Sequence, residues 1–146
     1  MAIFADTSAV VRAYLVDEPD HAALAEVLLE GPEPVVISAL AEVEIVSALA
    51  RATRDGRLGR SLADRILAAF AADTASDGPL AVAMFDAVAA FAAARRLPLK
   101  DRLRMLDALQ LAAAPALAAT TDEELAFCTR DKDQAAAARA ERFCVL

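Results

Sequence analysis

The sequence predicts an α/β protein: a three-layer α/β/α sandwich with helices on both faces of a short, roughly five-stranded parallel sheet. Three observations predict it. Five short runs are almost wholly apolar, as strands buried on both faces are. Each pair of successive runs is separated by enough chain for a helical crossover, which parallel strands require. The segments between them are rich in alanine, the best helix former. At 146 residues, 58% of them hydrophobic, the chain reads as one domain, 1–146, with a core of ordinary size.

The first run, Ile3-Phe4-Ala5, ends in Asp6-Thr7-Ser8: a buried strand arriving at polar punctuation. Thr7 or Ser8 can cap the helix that follows, Ala9 to Val16. Asp17-Glu18-Pro19-Asp20 is a break. His21 to Glu30 reads as a helix with Ala22, Leu24, Ala25, Val27 and Leu28 inward, closed by Gly31-Pro32-Glu33-Pro34. Pro34 to Ser38 is a β-branched second strand. The helix from about Ala39 to Thr53 carries Leu40, Val43, Val46, Ser47 and Ala50 on one stripe. Ser61 can cap another helix, to about Asp73. After the Asp77-Gly78-Pro79 turn, Leu80 to Met84 is a third strand, and Asp86 to Arg96 is helical. Asp101 to about Ala114 is helical around Leu103, Leu106, Ala108, Leu109 and Leu111. Thr120 to Glu124 looks like a surface loop. Leu125 to Thr129 is a fourth strand, Lys132 to Glu141 a helix, and Phe143 to Leu146 a fifth strand.

Net charge is −7, which argues against a nucleic-acid partner until its distribution is considered. Residues 1–50 hold nine acids and one base, Arg12; the remainder is nearly balanced. The bases cluster at Arg51, Arg54, Arg57, Arg60 and Arg65, and again at Arg95, Arg96, Lys100, Arg102 and Arg104. Local clusters, not totals, make phosphate-binding surfaces. A solvated helix face is the competing reading. The second cluster directly precedes Asp107 and is the better placed to guide phosphates. Few aromatics and no Trp argue against a base-stacking surface. Cys128 and Cys144 lack CxxC spacing and read as buried, reduced thiols. No leader or membrane-length apolar run is present, so a soluble, cytoplasmic protein is expected.

In an open α/β sheet, ligands sit at the carboxyl ends of the strands. Asp6 and Asp131 share one pattern: apolar strand, carboxylate, helix. Glu44 falls in the first turns of the helix after the second strand. Asp107 sits among leucines, costly company for a carboxylate unless it is paired or bound. These four acids are expected at one edge. One way to hold such acids ionised together is a hard cation, Mg²⁺ or Mn²⁺, which takes oxygen ligands and bridges to phosphates. Glu42 is an alternative to Glu44, and Asp133 could share or replace Asp131. The single His, His21, reads as a surface residue away from this cluster. With four glycines in all, no phosphate-cradling loop is available.

Ile3-Phe4-Ala5-Asp6-Thr7-Ser8-Ala9, Ser38-Ala39-Leu40-Ala41-Glu42-Val43-Glu44-Ile45, Leu106-Asp107-Ala108-Leu109-Gln110-Leu111-Ala112 and Thr129-Arg130-Asp131 resemble the PIN-domain ribonucleases, above all the VapC-type toxins. The resemblance spans the chain in the right order. It implies a Mg²⁺-dependent endoribonuclease that cuts structured RNA such as tRNA or rRNA. It also implies a cognate VapB-type antitoxin and a homodimer. Asp6, Glu44, Asp107 and Asp131 match the family's acidic quartet, and Thr7, Ser8 and Thr129 its supporting hydroxyls. Two other readings stay open: a phosphotransfer domain, receiver-like or phosphatase, and a catalytically silent module of the same fold.

Overall fold

Successive side chains of a strand face opposite ways, and the first strand, β1 (Ala2–Ala5), packs apolar groups on both sides. Ile3 and Ala5 enter one hydrophobic cluster, Ala2 and Phe4 a second on the other face. The structure is a computed structural model whose described residues are 1–84, 86–97, 103–118 and 124–146, the side chains of 116 and 118 excepted. After β1 come α1 (Thr7–Tyr14), α2 (His21–Ala25) running into a π-helical turn (Glu26–Glu30), β2 (Val35–Ser38), α3 (Ala39–Arg54) and α4 (Arg60–Asp73). Then follow β3 (Leu80–Ala83), α5 (Ala87–Ala94), α6 (Met105–Ala118), β4 (Leu125–Cys128), α7 (Lys132–Ala140) and β5 (Cys144–Val145).

The sheet has five strands in the order β3-β2-β1-β4-β5, and every pairing is parallel. One face carries α1 to α4, through Val10, Leu24, Leu28, Ile45, Leu49, Ile66 and Phe70. The other carries α5, α6 and α7, with Phe4 stacked on Phe127 at 5.5 Å between ring centroids. This is the expected α/β/α sandwich. The chain runs outward from β1 to β2 and β3, then returns to β4 on the other side of β1. The strand order therefore reverses between β1 and β4, where a crevice opens outside the strands' carboxyl ends. Asp6 leaves β1 there, and Thr129 to Asp131 leave β4 there.

Several details correct the expectations. Asp6 itself caps α1, accepting from the Ser8 amide at 2.9 Å, so Thr7 and Ser8 lie inside the helix. Gly59, not Ser61, precedes α4. The buried stripe of α3 is Ala41, Ile45, Leu49 and Ala52, whereas Val43 and Val46 are 69% and 48% exposed. In α2 and the turn after it only Leu24 and Leu28 are buried, and Ala22 and Val27 face outward. α6 starts at Met105 and runs through Pro115, although proline cannot donate to the Leu111 carbonyl. Leu106 is 39% exposed. Of the loop expected at Thr120 to Glu124, only Glu124 lies within the described residues; its carbonyl accepts from the Ala2 amide. His21 is half-buried, its Nδ1 2.9 Å from the Arg12 carbonyl, and so ties α2 to α1. Among the described residues no helix is long and apolar enough to cross a membrane.

Cys128 is buried in β4, but Cys144 is exposed, against the expectation of two buried thiols. Burial also pushes the Cys128 thiol up, and the thiolate is the reactive form. One thiol per chain should therefore react promptly with Ellman's reagent and the second only on unfolding. Two fast thiols would contradict this packing.

Candidate active site

Asp6, Glu44, Asp107 and Asp131, spread over most of the sequence, line one pocket of about 250 Å³, together with Thr7 and Ser8. Glu42 and Asp133 do not line it. Glu42 lies on the exposed side of α3, and Asp133 is exposed on α7, its amide bound to Asp131. Asp131 caps α7, its Oδ1 accepting from the Asp133 and Gln134 amides, both at 2.9 Å. Its Oδ2 stays available to the pocket. Each of the two strand-end acids therefore combines a capping role with a place in the pocket wall.

Asp6 is 3% exposed, the most enclosed of the four. Burial pushes its carboxyl above the usual range; hydrogen bonds from Ser8 and Gln134 pull it back, and the Asp107 charge pushes it up again. Glu44 is raised as well, first by burial and then by the Asp6 charge, against hydrogen bonds from Gln110 and Thr7. The acids thus repel one another across the pocket. Part of the compensation comes from Arg104, which lies just before α6. Its Nε is 2.9 Å from Asp107 Oδ2, and its Nη2 is 3.7 Å from Asp131 Oδ2. The Arg104 side chain is 81% exposed, so this pairing is held from the solvent side.

Two glutamines hold the acids in place, and neither was among the expected site residues. Gln110, on α6, is buried. Its Nε2 donates to Thr7 Oγ1 and to Glu44 Oε1, both at 2.7 Å, and the Ser38 hydroxyl reaches its carbonyl oxygen at 3.5 Å. Gln134, on α7, is wholly buried. Its Nε2 donates to Asp6 Oδ1 at 3.2 Å and to the Asp107 carbonyl at 3.3 Å. Both N–H groups of each amide are therefore used. Thr129 donates its one proton to Gln134 Oε1 at 2.7 Å, leaving its 3.3 Å approach to Asp6 as the weaker alternative. Ser8 Oγ lies 3.2 Å from Thr129 and accepts from the Arg130 amide at 2.8 Å. The only signal that could have found these glutamines is their position: Gln110 three residues after Asp107, Gln134 three after Asp131.

The expected basic cluster divides. Arg104 reaches the pocket. Arg95 and Arg96 line two other cavities, on the α5 and α6 side. Lys100 and Arg102 lie outside the described residues.

Among the described residues no group of three or more acidic, histidine or cysteine side chains is already arranged to hold a metal ion. The donor chemistry nevertheless fits a hard divalent cation. The pocket offers carboxylate and hydroxyl oxygens and a mutual repulsion that one solvent-exposed guanidinium relieves only in part.

An α/β/α sandwich with four carboxylates at the switch point of its parallel sheet defines the class. The PIN-domain family model matches residues 3–140, and the chain belongs to the PIN-domain family. Solved structures agree on the fold. VapC20 of Mycobacterium tuberculosis, a sarcin–ricin-loop-cleaving toxin, superposes with a TM-score of 0.68 at 20% identity, over 93% of this chain and 95% of that one. PAE2754 from Pyrobaculum aerophilum gives 0.65 at 18% identity, over 99% and 83%. A toxin–antitoxin complex from Klebsiella pneumoniae gives 0.57 at 18%, over 91% and 89%. No curated protein matches the sequence.

Proposed function

We propose that this protein is a Mg²⁺- or Mn²⁺-dependent endoribonuclease, the toxin of a toxin–antitoxin pair, which cleaves structured RNA such as tRNA or rRNA. A cognate VapB-type antitoxin would hold it in check, and it would work as a homodimer. The observation that carries the reading is the meeting of Asp6, Glu44, Asp107 and Asp131 around one pocket. Family membership and the likeness to VapC20 and to a toxin–antitoxin complex support it.

In this reading Asp6, Glu44, Asp107 and Asp131 supply the oxygens that hold the ion. The ion, when bound, supplies charge neutralisation and Lewis acidity toward a phosphodiester. Gln110 fixes Glu44, and Gln134 with Thr129 fixes Asp6, so that the carboxylates are oriented before the substrate arrives. Arg104, held beside Asp107 and Asp131 from the solvent side, would be available to a phosphate oxygen with those acids holding the ion, a role for which a guanidinium is well suited.

The test is cleavage of total tRNA and of ribosomal RNA by the purified chain. Cleavage should appear with Mg²⁺ or Mn²⁺, stop with EDTA and return when the ion is restored in excess. Cleavage that survives chelation would overturn the mechanism. An RNA left intact under every ionic condition would favour the catalytically silent module.

A further inference from the structure

The acidic pocket also has a basic wall, on α1 and α3, which pack on the sheet face opposite α6. Arg12 of α1 and Arg51 of α3 line the same pocket as the four acids. Arg12 is the only base among the first fifty residues. Arg51 lies on the stripe of α3 that begins at Glu44 and passes through Ala48, with all three lining the pocket. At 1.5 Å per residue its backbone stands about 10 Å along the helix from Glu44. Arg51 is exposed and makes no ion pair with another described residue. Arg12 is only loosely held: its Nε is 3.8 Å from Glu18 Oε2. Glu18, also on the pocket wall, is engaged by Arg57 at 2.6 Å. Glu18 therefore shares its charge between two arginines and lies closer to Arg57 than to Arg12. Arg51 thus has no ionic partner among the described residues and Arg12 only a distant, shared one, beside a pocket crowded with carboxylates.

We propose that Arg12 and Arg51 form a phosphate-binding subsite on the α1–α3 side of the pocket, which holds the RNA backbone beside the phosphodiester to be cut. The proposal rests on the ribonuclease reading and adds the direction of the substrate. The strand crosses the pocket from Arg104 to Arg12 and Arg51, not along α5, where Arg95 and Arg96 lie on other cavities. Contacts to phosphate position a strand without reading its sequence. The subsite should therefore affect binding to all RNA sequences alike.

The test is the salt dependence of binding to a fluorescein-labelled single-stranded oligoribonucleotide, measured by anisotropy in EDTA so that no cleavage occurs. Each phosphate contact to a single strand contributes about 0.7 to the slope of log K against log salt. Arg12→Gln and Arg51→Gln should each flatten the slope by about 0.7 and the double variant by about 1.4. Arg65→Gln, exposed on α4, should leave the slope unchanged. Thermal melts identify any variant that has lost its fold, and Arg51→Glu gives a second measure at the exposed position. Wild-type slopes for Arg12→Gln and Arg51→Gln would overturn the subsite, as would a slope that falls only with Arg95→Gln and Arg96→Gln. If the wild type binds no RNA, the ribonuclease reading fails as well. Cleavage with an unaltered slope sinks the subsite alone.

Discussion

Replacing Asp6 with Asn should abolish RNA cleavage and at the same time stabilise the metal-free protein. The two effects have one cause. Asp6 is nearly sealed from solvent, and burial together with the Asp107 charge holds its proton affinity above that of an ordinary Asp. A buried acid whose folded pKa is raised binds protons more readily in the native state. Its ionised form therefore costs stability as pH rises through the folded value, and the cost vanishes below the unfolded value. Asn carries no charge and caps a helix about as well as Asp; its single oxygen can keep the Ser8 bond, while its amide nitrogen gives up the longer bond from Gln134, a smaller loss than the buried charge removed. In EDTA at neutral pH the Asn variant should melt above the wild type. The difference should close as pH falls below the ordinary Asp range and should reverse when Mn²⁺ is added. Losing a partner that only orients a metal ligand typically costs 10–100-fold. Losing a direct donor should therefore cost at least about a hundredfold in cleavage rate. An Asn variant that cuts RNA at half the wild-type rate would remove Asp6 from the mechanism.

The largest expected effect on stability is at Gln134. Leucine in its place leaves Asp6 Oδ1, the Thr129 hydroxyl and the Asp107 carbonyl without the partners they have now. Each buried polar group deprived of its bond costs about 1–3 kcal/mol, and neighbours in one network do not add fully. A loss of about 2–4 kcal/mol is expected. At roughly 2–4 °C per kcal/mol for a chain of this size, the melting temperature should fall by roughly 4–16 °C. The shift should be smaller at acidic pH, where a protonated Asp6 brings a donor of its own. A Gln134→Leu melt within a degree of wild type would mean the network contributes little.

The layered fold and Asp6, Asp107 and Asp131 were legible because each left a local mark, whereas Glu44 was singled out by the family resemblance. Strands β1 and β4 are apolar runs ending in a carboxylate, and parallel pairing carries both ends to one edge whatever lies between. Gln110 and Gln134 left no such mark. A glutamine in a helix is an ordinary surface residue until packing turns its face inward, and here α6 and α7 turn both toward the carboxylates. The wrong stripe on α3 has a related cause. In an alanine-rich helix, Ala41–Ile45–Leu49 and Val43–Val46–Ala50 are both apolar at helical spacing, and only contact with the sheet selects the first. The helix expected from Asp101 begins, among the described residues, at Met105, which leaves Arg104 in the segment that meets Asp107 and Asp131.

The acids' shared pocket has physical meaning only if a cation completes it. Calorimetric titration of the metal-free protein with Mn²⁺ tests that directly, in the wild type and in the Asp6→Asn and Asp107→Asn variants. Saturable binding to the wild type that either substitution weakens at least about tenfold is the predicted result. A wild type that takes up no Mn²⁺, or variants that bind it as tightly, would contradict the account.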